Sequence, residues 1–70
     1  MQLVKESATG RVGFIGVDPY GIRGHGEIIV SFSKITEPNA HLGHGYPSDD
    51  FVFVEPHQVS SYYRKKYGLV

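Results

Sequence analysis

Four short segments of the chain carry apolar residues at every second position, and in the second and fourth of them both faces are apolar. These segments are residues 2–5, 11–17, 27–32 and 51–54. Valine, isoleucine and phenylalanine dominate them, and β-branched and aromatic residues at a period of two are typical of strands. We therefore predict four strands. Gly13 and Gly16 interrupt the second strand, where glycine favours the bulge or sharp bend that a very small barrel needs in order to close.

The connections between the predicted strands differ in length. Residues 7–10 form a tight link, and Asp18-Pro19-Tyr20-Gly21 fits a type I turn that opens a longer loop over 18–26. The third connection, residues 33–50, has eighteen residues and several glycines and prolines. Loops of this length without secondary structure are usually functional in compact domains. We therefore predict that this segment forms a functional surface.

The C-terminal segment changes character after the fourth strand. Pro56 ends that strand because proline cannot donate to a ladder. Apolar and aromatic residues then recur at helical spacing, with lysines in the last turn and Gly68 after it. This pattern predicts a short helix over 60–67. A fifth strand over 59–63 is the competing interpretation, because adjacent tyrosines also suit a strand.

Three runs of residues, in this order, carry a resemblance to a known family. They are Gly10-Arg11-Val12-Gly13-Phe14-Ile15, then Ile28-Ile29-Val30-Ser31-Phe32, then Phe51-Val52-Phe53-Val54 leading into Pro56-His57-Gln58-Val59. This order resembles SH3-like barrels of the KOW type, in which the last strand ends in a single 3₁₀ turn. The resemblance covers residues 2–59. It implies an all-β fold, a small SH3-like barrel of four to five strands, with residues 60–70 as a short C-terminal helix or extended tail.

A weaker second resemblance is to cold-shock OB barrels. It rests on Val4-Lys5, Gly13-Phe14-Ile15 and Val52-Phe53-Val54, which look like the RNA-binding strands of that family. Only sixteen residues follow Val54, which is too few for the remaining strands of that fold. The KOW type is therefore the working expectation.

Composition and charge narrow the function classes. Seventy residues allow one domain, and 40% hydrophobic residues indicate a globular chain. Seven basic residues balance seven acidic ones, so any nucleic-acid binding needs a local basic patch. The chain has no cysteine, and a small domain without disulfides often gains stability from a partner or from self-association, which stays open here. No signal-peptide or membrane-spanning pattern is present, so we expect a cytoplasmic protein without a membrane partner.

The strongest candidate for a binding site is the basic and aromatic run at residues 62–67. Arg and Lys neutralise phosphates, and aromatic rings stack on bases. Together with the KOW resemblance, this implies nucleic-acid binding, to RNA or DNA, in transcription or translation control. The predicted contacts are Arg64, Lys65 and Lys66 to phosphates, Tyr63 and Tyr67 to bases, and Arg23 as an additional contact. The alternative is a helical face whose tyrosines pack on the barrel.

The runner-up function is protein docking, as an accessory or inhibitory subunit or as a small phage or mobile-element regulator. It would use residues 33–50, with Leu42, His44 and Tyr46 as contacts. No nucleophile elbow, cysteine nucleophile or paired-carboxylate motif is present, so we predict no enzymatic activity. The four histidines have no cysteine beside them, and we predict neither a metal site nor a cofactor.

Overall fold

Five short strands and one short helix form the described part of the molecule. The computed structural model describes residues 1–20 and 26–69. The strands are β1 (Leu3–Glu6), β2 (Val12–Ile15), β3 (Glu27–Ser31), β4 (His44–Pro47) and β5 (Phe51–Val54), and the helix is α1 (Ser61–Lys66). Two 3₁₀ turns, Ser48–Asp50 and Pro56–Gln58, flank β5. The prediction of a mostly β domain with a short C-terminal helix is confirmed, and the competing strand over 59–63 is wrong.

All five strands belong to one antiparallel sheet in the order β4-β3-β2-β1-β5. The first four strands follow one another as a meander, and β5 returns to pair with β1. Leu3 and Val4 are adjacent in β1 and therefore point to opposite faces of the sheet. Both are almost completely buried, at 1% and 0% exposure. Each face of β1 is thus covered by other parts of the chain.

The face that contains Leu3 packs against the C-terminal segment. Its buried cluster consists of Leu3, Val12, Phe14, Val54, Val59 and Tyr67. Tyr67 follows α1, and its ring meets that of Phe14 edge-on with 5.2 Å between the ring centroids. The tail is therefore a part of the core, and only one side of it faces solvent.

The face that contains Val4 is covered because the sheet curls on itself. Val4, Val30 and Phe51 form its buried centre. The rings of Phe51 on β5 and Tyr46 on β4 lie 5.6 Å apart between centroids, although these strands are at opposite edges of the sheet. Side-chain packing therefore brings these two edge strands together at the end where β4 leads into β5, and the described residues form no ladder between them.

Gly13 explains how closely β2 and β3 approach. A Cβ atom at this position would lie 2.7 Å from the carbonyl oxygen of Ser31 and 2.8 Å from Cγ1 of Val30. Gly13 pairs in regular register with Val4, so the predicted bulge is absent from this position. The glycine permits close packing inside the curl.

The predicted loop over 33–50 is wrong for its second half. His44–Pro47 is β4, which pairs with β3 from Glu27 to Val30, and a 3₁₀ turn follows it. The sequence of β4 contains Gly45 and Pro47 and has no alternation of apolar residues, so it carries no strand pattern. Its pairing with β3 and the packing of Tyr46 determine its structure instead.

Candidate functional site

The helix α1 is positioned by two tyrosines that face the sheet. Tyr63 and Tyr67 are one turn apart and stack with 6.4 Å between ring centroids. The Tyr67 hydroxyl donates to the Val12 carbonyl at 2.7 Å. Burial raises the pKa of Tyr67 to about 12, with a smaller contribution from the nearby Tyr63. These contacts fix the rotation of the helix, and so decide which of its side chains reach solvent.

The C-terminal end of α1 is closed by a glycine in the left-handed region. Gly68 has a φ of 70°, its amide donates to the Lys65 carbonyl at 3.3 Å, and the Leu69 amide donates to the Arg64 carbonyl at 2.7 Å. This pair of bonds is the Schellman motif. Three basic residues occupy the last turn of α1, where positive charge is favoured by the helix dipole.

A groove lies between the solvent-facing side of α1 and the segment that follows β3. It is lined by Lys34, Ile35, Thr36, Tyr62, Lys65 and Lys66, and has a volume of about 310 Å³. The Ile35 amide donates to the Lys66 carbonyl at 3.2 Å, which fixes the segment beside the helix end. Tyr62 is 64% exposed and Ile35 is 42% exposed. We call this feature the lysine groove.

Charge and shape in the lysine groove suit a phosphate next to a flat ring. Three of its six lining residues are lysines, and none of the six is acidic. A lysine ammonium binds phosphate as a point charge, and an exposed tyrosine ring is a stacking platform. A second groove, of about 290 Å³, contains the carboxylates of Asp18 and Glu27 together with His44. It would repel a phosphate.

The predicted nucleic-acid contacts are divided by the structure. Lys65 and Lys66 line the lysine groove. Arg64 is half-buried, and its guanidinium donates to the carbonyls of Pro56 and Val59, which ties α1 to the preceding 3₁₀ turn. Tyr67 is 2% exposed, so its predicted role in stacking on bases is replaced by one in the core. Tyr63 is half-buried on the same side, and Arg23 lies outside the described residues.

The sequence prediction missed Lys34 and Tyr62 as groove residues. Lys34 is far from α1 along the chain and stands in no motif, so only the tertiary structure could identify it. Tyr62 had a signal in the helical period. Tyr63 lies one turn before the buried Tyr67 and shares its side of the helix, whereas Tyr62 is turned away from that side. Lys66 stands between the two sides, with its ammonium 5.4 Å from the centroid of the Tyr67 ring.

Another cation of the described chain is engaged elsewhere. The Arg11 guanidinium lies 3.9 Å from the centroid of the Phe32 ring, and its Nε donates to a carboxylate oxygen of Glu6 at 2.9 Å. Hydrogen bonds from Arg11 and from Thr9 lower the pKa of the Glu6 carboxyl. Arg11 thus holds the β1–β2 hairpin against Phe32, whose ring packs against those of Tyr46 and Phe51.

The residues predicted for protein docking are mostly built into the fold. Tyr46 is half-buried, and its ring packs against those of Phe32 and Phe51. Leu42 is half-buried and pairs with Val17 in an isolated parallel bridge. His44 is exposed on β4. Within residues 1–20 and 26–69, no three histidine, aspartate or glutamate side chains converge as they would around a metal ion.

Comparisons with known proteins add no relative. The chain matches no protein-family model, and neither curated proteins nor solved structures gave a match. Over the described residues, no helix combines the length and the apolar character that crossing a membrane requires.

Proposed function

We propose that the protein is a non-catalytic binding module that binds single-stranded nucleic acid in the lysine groove. The observation that carries the proposal is that Lys34, Lys65 and Lys66 line one groove together with the exposed Tyr62. Single strands offer unstacked bases to such a ring, whereas bases in a duplex are stacked on one another. The groove therefore takes a phosphate on the lysines and a base against Tyr62.

Two features of the fold support the KOW-type resemblance behind this proposal. The strands form a meander with β5 returned beside β1, and the sheet curls around a small apolar interior. The segment Phe51–Val54 leads into a 3₁₀ turn at Pro56–Gln58, as the resemblance implies. We extend the proposal on this basis to a cytoplasmic role in transcription or translation control, with RNA or DNA as the partner.

The proposed affinity is modest and depends on salt. With three lysines on a single strand, the slope of log K against log salt concentration is no steeper than about −2. The chain has no net charge to attract a nucleic acid from a distance. Docking through Leu42 and Tyr46 ranks lower, because both side chains already pack within the fold.

The test is binding of a fluorescent single-stranded oligonucleotide, followed by anisotropy at low salt, with both RNA and DNA probes. Combined replacement Lys34→Ala, Lys65→Ala and Lys66→Ala should abolish the signal. Single replacements offer a matched pair: Lys34→Ala should weaken binding, whereas Lys5→Ala, at an exposed lysine on β1, should leave it unchanged. Equal effects of these two, or no binding by the intact protein, would remove the proposal.

A further inference from the structure

Within residues 1–20 and 26–69, the outer edge of β5 has backbone groups without a strand partner. Among the described strands, β5 has only β1 as its neighbour. The Ser7 amide donates to the Asp50 carbonyl, so this is a hydrogen-bonded pair of the ladder. Because such pairs alternate with non-hydrogen-bonded ones, Phe51 and Phe53 turn their backbone groups away from β1. The Phe51 amide is bonded to Ser48, which leaves the amide and carbonyl of Phe53 and the Phe51 carbonyl along the edge.

The opposite edge of the sheet is blunted, whereas β5 is not. On β4, the outward positions are Gly45 and Pro47, and proline has no amide to donate. The carboxylate of Glu27 also lies close to Gly45. Proline and charged residues commonly protect an edge strand from pairing, and β5 contains neither. Its Val52 and Phe53 are 49% and 69% exposed and point to opposite faces.

Charges at the two ends of β5 select the kind of strand that can pair with it. Asp49 and Asp50 precede the strand and Glu55 follows it, and all three are exposed. A second copy paired antiparallel on this edge has to place outward-facing residues opposite each other, for example Phe51 opposite Phe53, and this brings the acidic end at Asp49 and Asp50 beside Glu55. Like charges so placed are destabilising. The Lys5 side chain lies opposite Val52 but one strand further in. The strand ends therefore remain acidic.

We propose that the edge of β5 binds an extended segment of a partner protein whose apolar centre is flanked by lysine or arginine. The partner's backbone bonds to Phe53 and to the Phe51 carbonyl, and its apolar side chains cover Val52 and Phe53. Its basic residues then meet Asp50 at one end and Glu55 at the other. This is β-strand addition, in which main-chain bonds provide affinity and side chains provide specificity.

The test uses the full chain and synthetic peptides. One peptide alternates threonine and valine with two lysines at each end, and its matched control carries glutamates in place of the lysines. The lysine peptide should slow hydrogen exchange at the Phe53 amide and shift the amide resonances of residues 51–54. The glutamate peptide should do neither. Equal binding of both peptides, or shifts confined to other residues, would overturn the proposal.

A variant pair separates this edge from other apolar surface. Phe53→Lys places a charge on the edge of β5. It should weaken the binding of the lysine peptide about tenfold, which corresponds to about 1.4 kcal/mol. Val17→Lys, at another exposed apolar residue, should not weaken it. The triple lysine variant of the groove should also bind the peptide normally, which keeps this proposal separate from nucleic-acid binding. Unchanged binding by Phe53→Lys, or dimerisation of the intact chain through β5, would count against it.

Discussion

The two sides of α1 have similar residues and very different surroundings. On the inner side, Tyr67 is 2% exposed and its hydroxyl is bonded to the Val12 carbonyl. On the outer side, Tyr62 is 64% exposed and lines a groove with three lysines. The difference arises from the rotation of a short helix against a sheet. A basic and aromatic run therefore indicates a binding site only after its buried residues have been set aside.

The largest expected difference between the two sides is in stability. Tyr67→Ala removes a buried aromatic side chain and should lower the free energy of unfolding by about 3–5 kcal/mol. A domain of this size has a total of only about 4–10 kcal/mol, so much of the variant should be unfolded. Tyr62→Ala should change it by less than about 0.5 kcal/mol. Urea denaturation followed by circular dichroism measures both, and equal losses would show that the two sides do not differ.

The same buried tyrosine should make stability depend on alkaline pH. The pKa of Tyr67 is raised from 10.0 to about 12 in the folded protein, because burial disfavours the phenolate. The stability that the neutral Tyr67 hydroxyl contributes is therefore complete below the pKa of the unfolded chain. It is lost as the pH rises through the pKa of the folded protein. The complete loss is about 2.7 kcal/mol, of which about 2 kcal/mol falls between pH 10 and 12.

Urea denaturation across this pH range measures the effect, with Tyr67→Phe as the matched control. The two proteins differ only in the Tyr67 hydroxyl, so the difference between their stability curves isolates that group. The intact protein should lose more stability than Tyr67→Phe between pH 10 and 12. Parallel curves for the two proteins would show that the Tyr67 hydroxyl is not buried in the folded state.

On the outer side, the expected effect is on binding. Tyr62→Ala should weaken the binding of single-stranded nucleic acid by about 1–3 kcal/mol, or roughly five- to 150-fold, because it removes the ring on which a base stacks in the lysine groove. Tyr62→Phe keeps the ring and should bind nearly as well as the intact protein. Tyr67→Phe should also leave binding intact at neutral pH. Anisotropy titrations with one oligonucleotide compare the three, and a loss in Tyr67→Phe equal to that in Tyr62→Ala would contradict the division of the helix.

The sequence was sufficient for most of the fold because local patterns and final environment agree there. Residues 27–32 and 51–54 alternate apolar side chains, and both contain strands close to the predicted bounds. β4 escaped prediction because Gly45 and Pro47 occupy an edge, where a strand tolerates residues that a central position would exclude. Such a strand is specified by its neighbour β3 and by the contact between Tyr46 and Phe51.

For the candidate site, the sequence indicated the residue types and missed their arrangement. Lys65 and Lys66 stand in an evident basic run, whereas Lys34 joins them only because the segment after β3 bonds to the end of α1. Composition alone does not distinguish Tyr67 from Tyr62 as a base contact, because it does not say which side of the helix each residue occupies. The rotation of the helix depends on which tyrosine packs against the sheet. Tyr67 does so because its ring contacts Phe14 and its hydroxyl bonds to the Val12 carbonyl.

The smallest expected effect concerns Gly68, which ends α1 for both of its sides. A Cβ atom would have room there, since its nearest neighbour would be Cγ2 of Ile35 at 3.7 Å. The cost of Gly68→Ala is then that of a left-handed backbone with a side chain, about 1 kcal/mol in the free energy of unfolding. Gly68→Asn should recover part of it, because asparagine tolerates this conformation better. Urea denaturation ranks the three proteins, and an alanine variant as stable as the intact chain would contradict the left-handed end. Oligonucleotide affinity should stay within about twofold in both variants, because Lys65 and Lys66 precede the turn and keep their helical positions.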